Sequence, residues 1–397
     1  MEIFNYLRPS KDIEPWMDLA IHRRNFRRVA LVCRFFFSVM LPWMFESIKL
    51  ADIEQTASAS FCRSIINGCG SAQIIATYIK RCSFSDRDDL SSSWYKIEFQ
   101  KLYSAALALM PNVEELSLSG ICISKYLLRS MIKLKRLTSL SLHYCPFGKV
   151  KDESIRKLSL LRLKSLRFFQ GVGLPHMRND LLFTSFICLD SLLTLHTNSV
   201  SFVARIAEQD CHLPLQELDL DEVLDVGLLP KVFQKIPALK KLRIFETGIS
   251  QYDIQFHNDV LSALEELRCP SFLPVLEELC CPSFLSRSLV PGRPISSLQF
   301  ITIDTWSEII DATHSLFKPS IARIRSLSVP SKVCQEVCKH FPNLISLRVE
   351  FTEGHQPSCK QSFKKVFATY FLIKSGTNSM HMYSIFQISV TPGLAIH

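Results

Sequence analysis

From about residue 110 the chain repeats a fixed frame of apolar and polar positions, apolar-x-x-apolar-x-apolar. The frame occurs at Val113-Leu116-Leu118, Leu137-Leu140-Leu142, Leu215-Leu218-Leu220 and Leu239-Leu242-Ile244. Later copies fall at Leu264-Leu267-Cys269, Leu298-Ile301-Ile303, Ile324-Leu327-Val329 and Leu344-Leu347-Val349, with degenerate ones at Leu166-Phe169 and Leu192-Leu195. Most intervals between first positions are 20–29 residues. Successive side chains of a strand point to opposite faces. Each copy therefore predicts a short strand with its last two apolar residues turned inward and the residues between them turned out. The segments Val223–Pro237 and Ser307–Phe317 carry apolar residues at helical spacing and predict return helices.

Frame and period together are those of a leucine-rich repeat. One such strand cannot bury its leucines alone, but stacked parallel strands bury them together. The expected fold class is α/β: a leucine-rich-repeat solenoid, a curved parallel sheet with helical or irregular return segments, over residues 110–352. Cys145 falls at the turn position where such repeats favour Asn or Cys. One segment breaks the period. LEELRCPSFLPV (Leu264–Val275) is followed at once by LEELCCPSFLSR (Leu276–Arg287), and nine of the twelve positions are identical. Twelve residues cannot complete a coil, so a bulged loop or a register defect is expected there. Residues 51–109 read as a helical linker or N-terminal cap, from Phe61, Ile65, Ile66, Ile74, Ile75, Tyr78 and Ile79, with a polar loop at Ser83–Trp94. Residues 353–397 lose the pattern and read as an atypical tail.

Composition narrows the function classes. Hydrophobic residues make up 47% of the 397-residue chain, which fits a packed protein and not a disordered one. With 12 glycines and no GxxxxGK[ST] or GxGxxG, phosphate-cradling loops are not expected. No GxSxG or HExxH occurs, and the histidines are dispersed, so the chain is expected to be no enzyme and to need no cofactor. Cys334, Cys338 and His340 lack a fourth ligand nearby, and a helical core face explains them better than a metal. The net charge of +9 is modest, and base-reading motifs are absent. Nucleic acid is not an expected partner, and neither is membrane. The 14 cysteines lie mostly in apolar stretches. No cleavable signal or N-x-[ST] sequon is visible. A reducing compartment, cytoplasmic or nuclear, is expected.

A solenoid of this kind offers a binding face. By alternation the outward positions include His143, His196, Asp219, Asp221, Arg243, Phe245, Arg268, Asp304 and Arg348, with Phe300 and Thr302 beside Asp304. Their charge is mixed, which suits a protein partner more than a polyanion.

The N-terminal stretch Val29–Leu50, VALVCRFFFSVMLPWMFESIKL, is dense in apolar residues but too short and interrupted to span a membrane, which takes about 20 apolar residues. Leu31-Val32-Cys33-Arg34, then Phe36, then Pro42, Phe45, Ile48 and Leu50 resemble the L-V-C-R signature and the P-x-x-W-x-x-I-x-L ending of an F-box, with phenylalanine for tryptophan. Ile3, Phe4 and Leu7 resemble the end of its first helix. The long segment between them is similar to insertions in fungal F-box-like proteins. The family's Leu-Pro opening does not precede Ile3, so the first helix is expected to be shortened and adaptor contact weakened. The resemblance covers residues 1–50. It implies a small α-helical domain that docks a Skp-type adaptor, and through it a cullin–RING ligase, while the repeats hold a protein substrate. On that reading Ile3, Phe4, Leu7, Leu31, Val32, Cys33, Phe36, Pro42 and Phe45 contact the adaptor. Two other readings stay open at this point: a scaffold whose N-terminal helices only cap the solenoid, and a nucleic-acid binder using His22–Arg28.

Overall fold

The computed structural model describes residues 28–51, 55–85, 97–148, 150, 152–170, 183–184, 187–221, 226–245, 273–300, 322–330, 346–350 and 386–389. Two compact units divide at Ser191 and Leu192.

In the first unit, five parallel strands follow one another in chain order: β1 (Ser47–Ala51), β2 (Arg81–Ser85), β3 (Glu115–Ser119), β4 (Ser139–His143) and β5 (Ser165–Phe169). Register is constant, so that Ile48, Cys82, Leu116, Leu140 and Leu166 form one row and Leu50, Phe84, Leu118, Leu142 and Phe168 the next. Apart from half-buried Ile48, every member of both rows is buried. Each adds about 1.5–3 kcal/mol of apolar burial, available only because a neighbouring coil covers it.

One hydrogen-bond device recurs at the coil entries. The carbonyl of the residue before a strand accepts from two successive amides of the next coil. Glu46 O accepts from Lys80 N and Arg81 N at 2.9 Å each. Lys80 O accepts from Glu114 N and Glu115 N at 2.8 and 3.0 Å, and Glu114 O from Thr138 N and Ser139 N at 2.9 and 3.0 Å. The device corrects the expected boundaries. The described residues between 51 and 109 hold more than helices: β2 pairs with β1 and β3, and the ladder's first strand among the described residues, at Ser47, lies inside the F-box-like stretch. The physical reason is that Phe45-Ile48-Leu50 and Ile79-Cys82-Phe84 obey the repeat frame with residues other than leucine.

Helices return the chain. α1 (Arg34–Met44) precedes β1 and contains Pro42. α2 (Gln55–Ile66) and α3 (Gly70–Tyr78) join β1 to β2, and α4 (Ile97–Leu107) joins β2 to β3. α5 (Lys125–Lys133) follows, with Ser124 as its N-cap: the Leu127 amide donates to Ser124 Oγ at 3.4 Å. Leu127, Leu128 and Met131, at i, i+1 and i+4, bury one face of α5. Ser130 Oγ–H donates to Ser104 O at 2.6 Å and ties α5 to α4. α6 (Asp152–Arg156) and a 3-10 turn, Lys157–Leu160, precede β5.

After β3 and β4 the chain turns through the left-handed region, at Gly120 (φ 69°) and at Tyr144 (φ 53°). The register makes these equivalent positions. Glycine accepts that conformation freely, whereas a tyrosine is strained there. Tyr144→Gly is therefore expected to raise unfolding free energy by about 0.5–1 kcal/mol, and Tyr144→Val to lower it. Urea denaturation of both variants checks this, and a loss of stability in the glycine variant contradicts it. Cys145 next to it behaves as its turn position demands. Its buried thiol donates to Leu118 O at 3.3 Å, and burial pushes its pKa up to about 12, so it stays a protonated donor.

In the second unit the parallel strands are β6 (Thr194–Thr197), β7 (Glu217–Leu220), β8 (Lys241–Ile244), β9 (Glu278–Cys281), β10 (Ser297–Phe300), β11 (Ser326–Pro330), β12 (Ser346–Glu350) and β13 (Phe386–Ser389), again in chain order. α7 (Val200–Ala207), α8 (Leu229–Lys235) and α9 (Ser283–Leu289) are return helices. α8 lies inside the expected Val223–Pro237 helix, while Ser307–Phe317 lies outside the described residues.

Three expectations change here. First, of the two outcomes expected at the duplication, a bulged loop or a register defect, the ladder shows no register defect. Lys240 O accepts from Glu277 N and Glu278 N at 2.8 and 3.0 Å, so the second copy pairs directly with β8. The first copy supplies no strand between them, and most of it lies outside the described residues. Second, the frame at β10 is Ile295-Leu298-Phe300, three residues earlier than expected; Phe300 is buried and does not face out. Likewise Phe168, not Phe169, is the inward residue of β5. Third, the tail is not wholly outside the pattern, since β13 pairs with β12.

Candidate functional site

The outward strand positions form a polar face in each unit. In the first unit it is mostly hydroxyl: Ser83, Ser85, Ser117, Ser119, Ser139, Ser141 and Ser165, with exposed Arg81, Glu115 and Arg167 among them. At its β4–β5 edge the His143 imidazole stacks on the Phe169 ring, centroids 4.7 Å apart and planes at 15°. Burial, and then the Arg167 charge, lower the pKa of His143. A lowered imidazole binds fewer protons in the folded than in the unfolded chain. Its stability contribution is thus complete above the ordinary imidazole value near 6.5 and is lost as pH falls toward the lowered one. His143→Gln is expected to flatten the fall in unfolding free energy between pH 7.5 and 5. An unchanged slope in urea titrations contradicts that.

The second unit's face is charged and mutually paired. Asp219 is buried, and its Oδ2 receives His196 Nδ1 at 3.0 Å and Arg243 Nη1 at 3.2 Å. The register explains the triad: His196, Asp219 and Arg243 are direct partners on β6, β7 and β8. One row back, Lys241 Nζ lies 3.7 Å from Glu217 and 3.3 Å from Glu278. These two pairs are half-exposed and contribute little to stability. Asp221 stands one position beyond β7; burial and the Asp219 charge raise its pKa. Phe245 stands one position beyond β8 and is 39% exposed. Cys280 continues the Asp219–Arg243 row, but it is buried at 4% exposure and offers no nucleophile to solvent.

Five of the nine expected face residues, His196, Asp219, Asp221, Arg243 and Phe245, come together in one place. His143 belongs to the first unit's face. Arg348 lies on β12, opposite Ser328 and Gln387. Arg268 and Asp304 lie outside the described residues. Cys334, Cys338 and His340 also lie outside them. Among the described residues no group of three metal-ligating side chains forms, and no helix is long and apolar enough to cross a membrane.

The N-terminal candidates divide by exposure. Leu31 is 84% exposed and Val32 70%, on a turn that separates a short helical start at 28–30 from α1. The L-V-C-R run therefore spans a turn instead of lying within the second helix. Cys33, exposed, is the N-cap of α1; Phe36, Pro42 and Phe45 are half-buried. Ala30 and Met40 are buried together, with Val29, Val39, Trp43 and Met44 packed on them. Phe35 (67% exposed) and Phe37 (49%) join Leu31 and Val32 in the exposed apolar set. Sequence reading passed over both because only Phe36 matched the signature, although three phenylalanines in succession on an 11-residue helix cannot all be buried. Ile3, Phe4 and Leu7, and the basic run up to Arg27, lie outside the described residues.

No protein-family model matches the chain, and comparison with curated proteins finds no match. Among solved structures it is similar to a TLR13–ssRNA13 complex, at 14% identity and a TM-score of 0.34. The similarity covers 69% of this chain and 43% of that one, so this chain spans less than half of the other's length. The parallel ladder in chain order, its repeated entry hydrogen bonds and its buried apolar rows make the chain an α/β leucine-rich-repeat solenoid.

Proposed function

We propose that this chain is the substrate-recognition subunit of an SCF-type ubiquitin ligase. Its N-terminal segment docks a Skp-type adaptor, and its strand faces hold a protein substrate. The observation that carries the reading is the set of exposed apolar side chains at Leu31 and Val32, on the turn before α1, and at Phe35 and Phe37, on α1, close ahead of β1. A cluster of large apolar side chains in solvent marks an interaction site. The L-V-C-R and P-x-x-F-x-x-I-x-L residues supply the identity of the partner. In this role the chain performs no bond chemistry. It raises the effective concentration of substrate lysines near a charged ubiquitin-conjugating enzyme. Such a subunit works in the cytoplasm or nucleus.

A second reading keeps the solenoid and drops the ligase: α1 merely covers the start of the repeats. It is favoured by the position of α1 against α3. The boundary at Ser47 decides how to separate the two. Deleting residues 1–50 removes β1 and Leu50, and so destabilises the repeats on either reading. Co-purification of the full-length chain with a Skp-type adaptor discriminates. Capture is expected, and a chain that elutes without adaptor sinks the ligase reading while leaving the scaffold intact.

A further inference from the structure

We propose that the strand face of the second unit receives a lysine or arginine side chain of a protein partner, seated between the Asp221 carboxylate and the Phe245 ring. This rests on the strand face being the binding surface, as in the proposed function, but not on adaptor docking.

The ladder places the two groups side by side. Asp221 N donates to Thr197 O at 3.0 Å and Phe245 N to Leu220 O at 2.8 Å, so strand-like pairing runs one residue past β7 and β8. Leu220 is paired with Ile244, which sets Asp221 opposite Phe245. Leu220 and Ile244 are fully buried, and by alternation their successors face outward, on the side of Asp219 and Arg243. Adjacent strands are about 4.8 Å apart.

The charged neighbours of this position are engaged with one another. Asp219 is shared by His196 and Arg243, and Glu217 and Glu278 share Lys241. Among the described residues no cation or hydrogen-bond donor reaches the Asp221 carboxylate. Burial and then the Asp219 charge raise the pKa of Asp221.

The chemistry of the occupant follows. A carboxylate takes the N–H groups of an ammonium or guanidinium in charge-assisted hydrogen bonds. An exposed aromatic ring takes a cation over its face, within about 6 Å of its centroid. A divalent metal does not fit, because Asp219 is already engaged and an aromatic carbon surface is no ligand. An anion is repelled by the Asp221 carboxylate.

Ligand-observed NMR on the full-length chain tests this, with Nα-acetyl-lysine methylamide and Nα-acetyl-arginine methylamide as probes and the Nε-acetylated lysine derivative as neutral control. Both cationic probes are expected to bind saturably, with dissociation constants in the millimolar range. Affinity should fall about tenfold in Asp221→Asn and for the neutral control, and about threefold in Phe245→Leu. Asp221→Asn should leave the thermal midpoint unchanged or raised, since it relieves repulsion from Asp219. Equal binding of the neutral control, undiminished binding in Asp221→Asn, or no saturable binding to the unaltered chain each overturns the proposal. Adaptor capture by the same protein reads the ligase role separately. Probes that fail while the adaptor is captured exclude the cation site alone, and the reverse result excludes the ligase role alone.

Discussion

Replacing Arg293 by alanine is expected to lower the stability of the second unit by about 3–5 kcal/mol. Arg293 is completely buried between α9 and β10. Its Nη1 donates to Ser288 O at 2.9 Å and Leu289 O at 2.8 Å. Those carbonyls belong to the last turn of α9, where no intrahelical amide can reach them. The guanidinium also sits at the negative end of the helix dipole. Truncation would leave two buried acceptors without these donors, at about 1–3 kcal/mol each, and a cavity the size of a large side chain. Arg293→Met fills most of that space and supplies no donor, so it should show roughly half of the loss. In a solenoid each coil is supported only by its neighbours, and the loss should spread to β9 and β10 before the rest of the unit. Guanidinium denaturation of both variants measures the two contributions. A change below about 1 kcal/mol for alanine would show that the acceptors find other donors.

Replacing Leu31 and Phe35 together by glutamate is expected to weaken adaptor capture at least about a hundredfold, because two exposed apolar anchors at an interface carry about 2 kcal/mol or more each. The unfolding midpoint should hardly move, since neither side chain contributes to the core. Met40→Glu is the informative contrast. Met40 is fully buried against Ala30, so its replacement should damage α1 itself and lower both stability and capture. Undiminished capture by the double glutamate variant would place docking elsewhere. Phe36 is a less informative position, because it is half-buried and charge there mixes the two effects.

The repeat frame made most of the ladder legible. Val113, Leu137, Leu215 and Leu239 each head a strand whose inward residues are buried as expected. The misses share one cause. The frame was sought through leucine, whereas burial asks only for an apolar side chain of suitable size. Phe45-Ile48-Leu50 and Ile79-Cys82-Phe84 satisfy it equally, and Ile79 at the end of a helical run hid the second of these. At β10 a richer apolar run, Leu298 to Ile303, drew the frame three residues late, although Ile295-Leu298-Phe300 fits as well. Which copy of the LEEL duplication enters the sheet was not legible at all, because the two sequences have equal propensity; only the pairing to β8 decides it. The site was half legible. Alternation found His196, Asp219, Arg243, Asp221 and Phe245. It could not show that Asp219 is buried and shared by two partners while Asp221 has none among the described residues, since that depends on neighbouring strands and not on spacing within one.

On the proposed reading an exposed apolar segment ahead of β1 docks an adaptor. Size-exclusion chromatography with light scattering, on the full-length chain mixed with a Skp-type adaptor, tests it most directly. A single species with the summed mass of one chain and one adaptor is expected, lost in the Leu31→Glu, Phe35→Glu variant. Two separate peaks at the individual masses, with the chain folded, would contradict it.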